Sequence, residues 1–262
     1  ELSITKLFMI GLVPGLLIGL FLLVMWFFIV RKDGYSETIT FTRAEAISIL
    51  KEATPAFMLP VLLLGGIRGG IFTPTEGGAF AAVYAIVVTM LYYRELPLRD
   101  LLRVSATAAR STAVVMLIVG AATAVGWFIT AAQIPAQMTA FFQPLVPTPT
   151  LLLLAIMVFL FAAGMVMDLT PNILLFAPVF YPLTNAAGID PYFFGLLFVL
   201  NVGIGVITPP VGTVLFVVCG SAGISMGYLV RKMAPFLLME AAVLLTLLLF
   251  PKLSLIPLKW LT

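Results

Sequence analysis

Three stretches of this chain, Leu7 to Val30, Ser111 to Ala132 and Met233 to Phe250, run apolar for close to the ~20 residues that a helix needs to cross a bilayer. Of the 262 residues 62% are hydrophobic, only 10% are charged and none is histidine, so polar groups are too few to cover a water-soluble surface of that size. The apolar runs are continuous and contain glycine and proline, whereas a membrane barrel would alternate over ~10-residue strands. The expected fold is therefore an all-α integral membrane bundle with the lipid bilayer as its solvent.

Composition excludes several functions. Cys219 is the single cysteine and lies in an apolar run, so neither a disulfide framework nor a Cys/His metal site is available. A net charge of +3 spread over scattered basic residues excludes nucleic acid as a partner. The chain opens at Glu1, and a charged residue beside a complete spanning stretch does not resemble a cleavable signal peptide, so the expectation is a fragment or a cleaved chain.

The basic residues orient the helices. They gather at Arg31, Lys32, Arg43 and Lys51, at Arg94, Arg99, Arg103 and Arg110, and at Arg231 and Lys232, with none between Arg110 and Arg231. Cytoplasmic loops are enriched in lysine and arginine, which places these three clusters inside and leaves Lys252 and Lys259 as a minor exception outside. The first helix then runs inward to Arg31. Segment 33–53 is an amphipathic cytoplasmic connector, and 55–93 is a helical hairpin turning at Gly69, Gly70 and Pro74. Residues 111–132 cross outward, and the proline-rich stretch 133–149 is an external connection.

Two later segments are interrupted in their middle. Residues 150–187 break at Gly164, Asp168, Thr170 and Pro171, leaving halves too short to cross comfortably, and are expected to form a re-entrant hairpin from outside. Residues 192–230 break at Gly203, Gly205, Thr208, Pro209, Pro210 and Gly212 and are expected to form a discontinuous helix. Non-helical backbone at membrane depth is tolerated only against protein or a water-filled cavity, so the two breaks should lie side by side. A broken helix offers free carbonyls that suit a dehydrated sodium ion and free amides that suit a carboxylate.

Asp168 is the only acidic residue between Asp100 and Asp190. An ionised carboxylate at that depth needs a partner, and sodium is one candidate; capping of the following half-helix through backbone amides is the other. Pro171 and Pro210 suit the first turns of the second half-helices. Thr170, Asn201, Pro209 and Thr213 line the breaks and are candidates for substrate contact, although Asn201 serves equally well as an interhelical hydrogen bond. Thr73, Pro74 and Glu76 have the spacing of a capping box with proline at the first helical position, and are read as a structural helix start, with Arg68 a candidate partner for Glu76. The stripe Gly11, Gly15, Gly19 suits close helix or subunit packing.

The runs Gly-Ile-Phe-Thr-Pro-Thr-Glu at 70–76, Gly-Met-Val-Met-Asp at 164–168 and Gly-Ile-Gly-Val-Ile-Thr-Pro-Pro-Val-Gly at 203–212 resemble the large membrane subunit of tripartite ATP-independent periplasmic (TRAP) transporters. Arg94-Glu95-Leu96 and Gly188-Ile189-Asp190-Pro191 fall between them in the same order, and the similarity runs along the whole chain. Members of that family are longer and contain two inverted repeats, so the resemblance is to the second repeat and its connection. It implies residues 1–149 as scaffold and connector helices, 150–230 as transport-domain elements and 231–262 as a terminal helix.

The resemblance further implies sodium-coupled, elevator-type import of small organic acid anions across the bacterial inner membrane. A small membrane subunit and a periplasmic substrate-binding protein are the implied partners, and no cofactor is implied beyond sodium as coupling ion. Carried over by motif, Gly164, Asp168, Gly203, Gly205 and Thr208 surround one sodium site. The stretch Gly164 to Pro171 and the ending Pro257-Leu258-Lys259-Trp260 resemble the branch associated with sugar acids such as diketogulonate; dicarboxylates and sialic acid stay open. Against an enzyme stand the single carboxylate at the breaks, Asp168, and the absence of histidine. A structural subunit would have unbroken helices, while a channel, which also uses re-entrant loops, remains an alternative.

Overall fold

The computed structural model describes residues 3–33 and 42–255. All regular structure among them is helical: α1 (Ile4–Ile10), α2 (Leu12–Asp33), α3 (Arg43–Arg68), α4 (Pro74–Val87), α5 (Leu98–Ala131), α6 (Ile134–Phe142), α7 (Pro149–Gly164), α8 (Leu169–Ala186), α9 (Pro191–Val206), α10 (Thr213–Ala222), α11 (Met226–Leu249) and α12 (Pro251–Leu255). A π-helical turn, Val88–Tyr92, extends α4, and a 3-10 turn, Gln143–Leu145, follows α6. Five spans, Lys6–Arg31, Arg43–Arg68, Pro74–Tyr92, Leu98–Ala131 and Met226–Leu249, are long and apolar enough to cross a membrane.

The chain divides into two compact units, Gly34–Val114 and a second made of Glu1–Asp33 with Val115–Thr262.

In the first unit α3 and α4 form an antiparallel hairpin. The Tyr84 hydroxyl donates to the Pro55 carbonyl at 2.9 Å and the Tyr93 hydroxyl to the Glu52 carbonyl at 2.7 Å. At the turn the Phe72 ring occupies the space where a side chain at Gly66 would stand and packs against Gly77. Gly70 supplies the left-handed backbone, φ +68°, that lets the chain reverse. Both helices begin in capping boxes, Thr42 with Glu45 and Thr73 with Glu76, which satisfy amide donors that a first helical turn leaves free.

Three sequence expectations change here. The hairpin does not start at Pro55: α3 runs from Arg43 through Pro55 and Pro60, so residues 43–53 belong to it, while 34–41 of the expected connector lie outside the described residues. A proline forfeits one helical hydrogen bond without ending a helix whose other backbone groups have no better partner. The Glu76 carboxylate accepts from the Thr73 amide at 2.7 Å and the Thr73 hydroxyl at 3.0 Å, so capping rather than Arg68 closes the turn. Helix α5 begins at Leu98 rather than Ser111; its 34 residues, at ~1.5 Å each, exceed the ~30 Å hydrocarbon thickness.

The second unit is built around α7, α8 and α9. Leu152, Ile156, Leu160, Phe180, Leu197 and Val202 are fully enclosed, joined by Leu247 from α11. Phe180 packs edge-on against Phe142 and Phe159, with ring centroids 5.5 and 5.4 Å apart. Stretch 133–149, expected as a plain connection, contains α6. A Cβ added at Gly15 or Gly19 would meet nothing within 4 Å among the described residues, and Gly11 caps the end of α1.

The terminal helix begins at Met226, not at 231 or 233. Gly223 ends α10 in a left-handed conformation, φ +65°, so Val230, Arg231 and Lys232 lie within α11, and the broken segment ends at Ala222 rather than Val230. Residues 256–262, the end of the expected terminal segment, lie outside the described residues.

Candidate functional site: two adjoining helix breaks

Prolines explain where the breaks fall. In an α-helix each carbonyl accepts from the amide four residues on, and proline has no amide hydrogen. Pro171 therefore leaves the Met167 carbonyl without its helical donor, while Pro209 and Pro210 do the same to Gly205 and Val206. Gly205 recovers a donor from the Thr208 amide at 2.8 Å. The Val206 carbonyl has no such replacement in the helix ladder.

The breaks, 165–168 between α7 and α8 and 207–212 between α9 and α10, lie against each other. The Gly212 amide donates to the Met165 carbonyl at 3.1 Å. The Thr213 hydroxyl donates to Asp168 Oδ1 at 2.5 Å. Gly212 holds φ +55°, and its missing Cβ spares Leu215 and the Thr208 carbonyl. Helix α10 thus starts only at Thr213, so Pro210 lies within the break rather than in a helical first turn.

Just before the breaks, α7 crosses α9 through glycine. A Cβ on Gly205 would stand 2.8 Å from Cα of Gly164, and one on Gly164 would stand 3.1 Å from the Val202 carbonyl oxygen. Gly203 has open space instead, so contact gives no reason for glycine there.

Two aspartates at helix starts behave differently. Asp190 caps α9 through its carboxylate, accepting from the Tyr192 and Phe193 amides at 2.9 and 3.0 Å. Asp168 occupies the equivalent position before α8 but makes no such cap, and its carboxylate turns to Thr213 across the breaks. The capping alternative for Asp168 is thereby removed. The side chain is exposed, as is Thr170 at the second position of α8.

The Thr208 hydroxyl donates to the Ile204 carbonyl at 2.6 Å, a bond back onto the preceding turn that leaves its lone pairs free. Asn201 is buried and its amide donates to the Met157 carbonyl at 2.7 Å, tying α9 to α7. That is the interhelical role, and it uses the donor on protein. Pro209, joined to Pro210 by a cis peptide bond, is partly covered in the second break.

Sequence reasoning passed over Asn172, and placed Gly212 in the second break without giving it a role. Gly212 links the breaks through its amide, and Asn172 is fully buried with its amide nitrogen 2.9 Å from both the Met167 and Asp168 carbonyls. The available signal was Pro171, which creates a carbonyl in need of a donor next to a residue able to supply one.

The oxygen set at the breaks consists of main-chain carbonyls, hydroxyls and one carboxylate. Such donors fit a hard cation rather than a transition metal. Among the described residues no cluster of three or more His, Cys, Asp or Glu could hold a metal ion. The ends meeting here, carbonyl-terminated α7 and α9 against amide-started α8 and α10, place both signs of helix dipole at one locus.

A family model described as "Tripartite ATP-independent periplasmic transporter, DctM component" matches residues 1–253. The chain is 42% identical over 259 residues to the 2,3-diketo-L-gulonate TRAP transporter large permease protein YiaN of Escherichia coli, covering 99% of this chain and 61% of that protein. It is 36% identical over 254 residues to the sialic acid TRAP transporter large permease protein SiaM of Vibrio cholerae, covering 97% and 60%. It is also 35% identical over 261 residues to the C4-dicarboxylate TRAP transporter large permease protein DctM of Pseudomonas aeruginosa, covering 100% and 61%. The chain thus spans about three fifths of the length of these relatives.

Proposed function

The chain belongs to the DctM component family of tripartite ATP-independent periplasmic transporters, multi-pass membrane permeases rather than enzymes, and from that premise we propose that it carries part of a sodium-coupled import pathway for small organic acid anions. The observation that carries this reading is the pairing of Asp168 with Thr213 across two abutting helix breaks. Such a locus offers one carboxylate and unladdered carbonyls to sodium, and the amide-bearing starts of α8 and α10 to an anionic substrate.

Gly164 and Gly205 let the α7 and α9 backbones approach closely enough for their terminal carbonyls to converge on one ion. Asp168 and Thr208 supply side-chain oxygens, and Gly203 contributes through its main chain. Thr213, Thr170 and Pro209 border the same locus on the side where a substrate carboxylate would meet α10 and α8; Asn201 acts there by holding α9 on α7. The transport elements move as one body in an elevator-type cycle.

The whole transporter works in the bacterial inner membrane with a small membrane subunit and a periplasmic substrate-binding protein. Its substrate is a sugar acid, sialic acid or dicarboxylate, the classes printed in the names of the three relatives, with the sugar acids favoured by the higher identity to the diketogulonate permease.

The test is uptake of radiolabelled organic acids into proteoliposomes holding the full-length permease with its partners, with and without an inward sodium gradient, for wild type and Asp168→Ala. Saturable, sodium-dependent uptake that is lost in the variant while the complex stays assembled supports the reading. Uptake indifferent to sodium rejects the coupling, and flux that does not saturate makes the pathway a channel.

A further inference from the structure

Asn172 is 0% exposed on the first turn of α8, and its side-chain nitrogen donates to the carbonyls of Met167 and Asp168, each at 2.9 Å. Both facing atoms are acceptors, so the amide has one possible orientation: nitrogen toward the break, oxygen away from it. That oxygen is buried and has no hydrogen-bond partner among the described residues. A half-satisfied buried amide is unfavourable relative to an apolar side chain of the same shape, and leucine has the same branched heavy-atom skeleton. Packing alone therefore does not account for asparagine here.

What leucine could not do is supply two donors at the break. Asp168 is extended at the head of α8, ψ 166°, so the Met167 carbonyl stands outside the helix ladder, and the Asn172 side chain supplies its donor. The same nitrogen, together with the Asn172 backbone amide at 3.2 Å, holds the Asp168 carbonyl from two directions. With its carbonyl held on one side and its carboxylate bonded to Thr213 on the other, Asp168 is confined between the two breaks.

We propose that Asn172 is a positioning residue for Asp168: its carboxamide holds the Met167 and Asp168 carbonyls ahead of α8 and sets the geometry in which the Asp168 carboxylate faces the cation. This rests on the reading of the adjoining breaks as a sodium site. Asn172 touches neither ion nor substrate; it acts through the main chain of Met167 and Asp168.

The experiment measures thermal stabilisation of the detergent-purified full-length permease complex by sodium chloride, against choline chloride at matched ionic strength. It needs no transport substrate. Wild type is expected to gain stability with a saturable sodium midpoint. In Asn172→Leu, and in Asn172→Asp, which keeps the shape but loses the donors, the midpoint rises by about tenfold or more, the scale at which groups that orient an ion's ligands act.

If Asn172→Leu does not assemble, Asn172→Asp carries the comparison. A sodium midpoint unchanged in both single variants overturns the proposal, even if they melt earlier. A shift in Asn172→Leu that is absent in Asn172→Asp overturns it too, since the oxygen would then be the working atom. A wild type indifferent to sodium rejects the sodium site itself, and with it the role of Asn172, which separates the two failures.

Discussion

Gly164 and Gly205 meet where α7 crosses α9, so closely that a Cβ on Gly205 would lie 2.8 Å from Cα of its partner. No side chain can be accommodated there without separating two backbones, because the obstructing atoms are main chain rather than the tip of a flexible group.

Gly205→Ala is therefore expected to destabilise the permease by about 1–3 kcal/mol, the range for overpacking a well-filled interior. Gly203→Ala, two residues away with open space around it, is expected to be neutral or slightly stabilising, since alanine is the better helix former. Melting temperatures of the two purified variants check this; equal losses would contradict the crossing geometry.

The Phe72 ring makes a separate prediction in the α3–α4 turn, where it fills the space beside Gly66. Gly66→Ala should lower thermal stability, and Phe72→Leu should also lower it by removing ring contacts. Together they should cost less than the sum of the single losses, because the smaller leucine makes room for the new methyl group. Additive losses in a double-mutant cycle would show that the ring yields freely.

Thr213 is expected to act on sodium rather than on folding. Thr213→Val keeps the shape of the side chain but removes the hydroxyl that donates to Asp168, while Thr213→Ser keeps the donor. The half-saturating sodium concentration for uptake should move in the valine variant by about tenfold or more and stay near wild type in the serine variant, since a hydrogen bond to a charged group contributes about 1.5–3 kcal/mol. Identical sodium dependence in both would make the contact incidental.

Much of the site was legible in the chain as written. The prolines at 171, 209 and 210 remove amide hydrogens wherever they stand, so carbonyls at Met167, Gly205 and Val206 had to lose helical partners, and the breaks could be located from the residues alone. The capping box at Thr73 and Glu76 was equally local. Pro55 and Pro60 did not break α3, because a lost hydrogen bond is a penalty rather than a command, and the packing around each proline decides whether the helix continues.

The sequence by itself determined that the chain is helical and apolar enough for a membrane, and which backbone groups would be left without helical partners. Those properties depend on composition and on spacings of a few residues. Only the tertiary structure decided that Asp168 would turn from its own helix to Thr213, forty-five positions away, and that the buried Asn172 would clamp the Met167 and Asp168 carbonyls. Asp190 and Asp168 stand at the same position relative to the helices they precede, yet one caps and the other reaches across. The difference lies in what the rest of the fold places opposite each carboxylate.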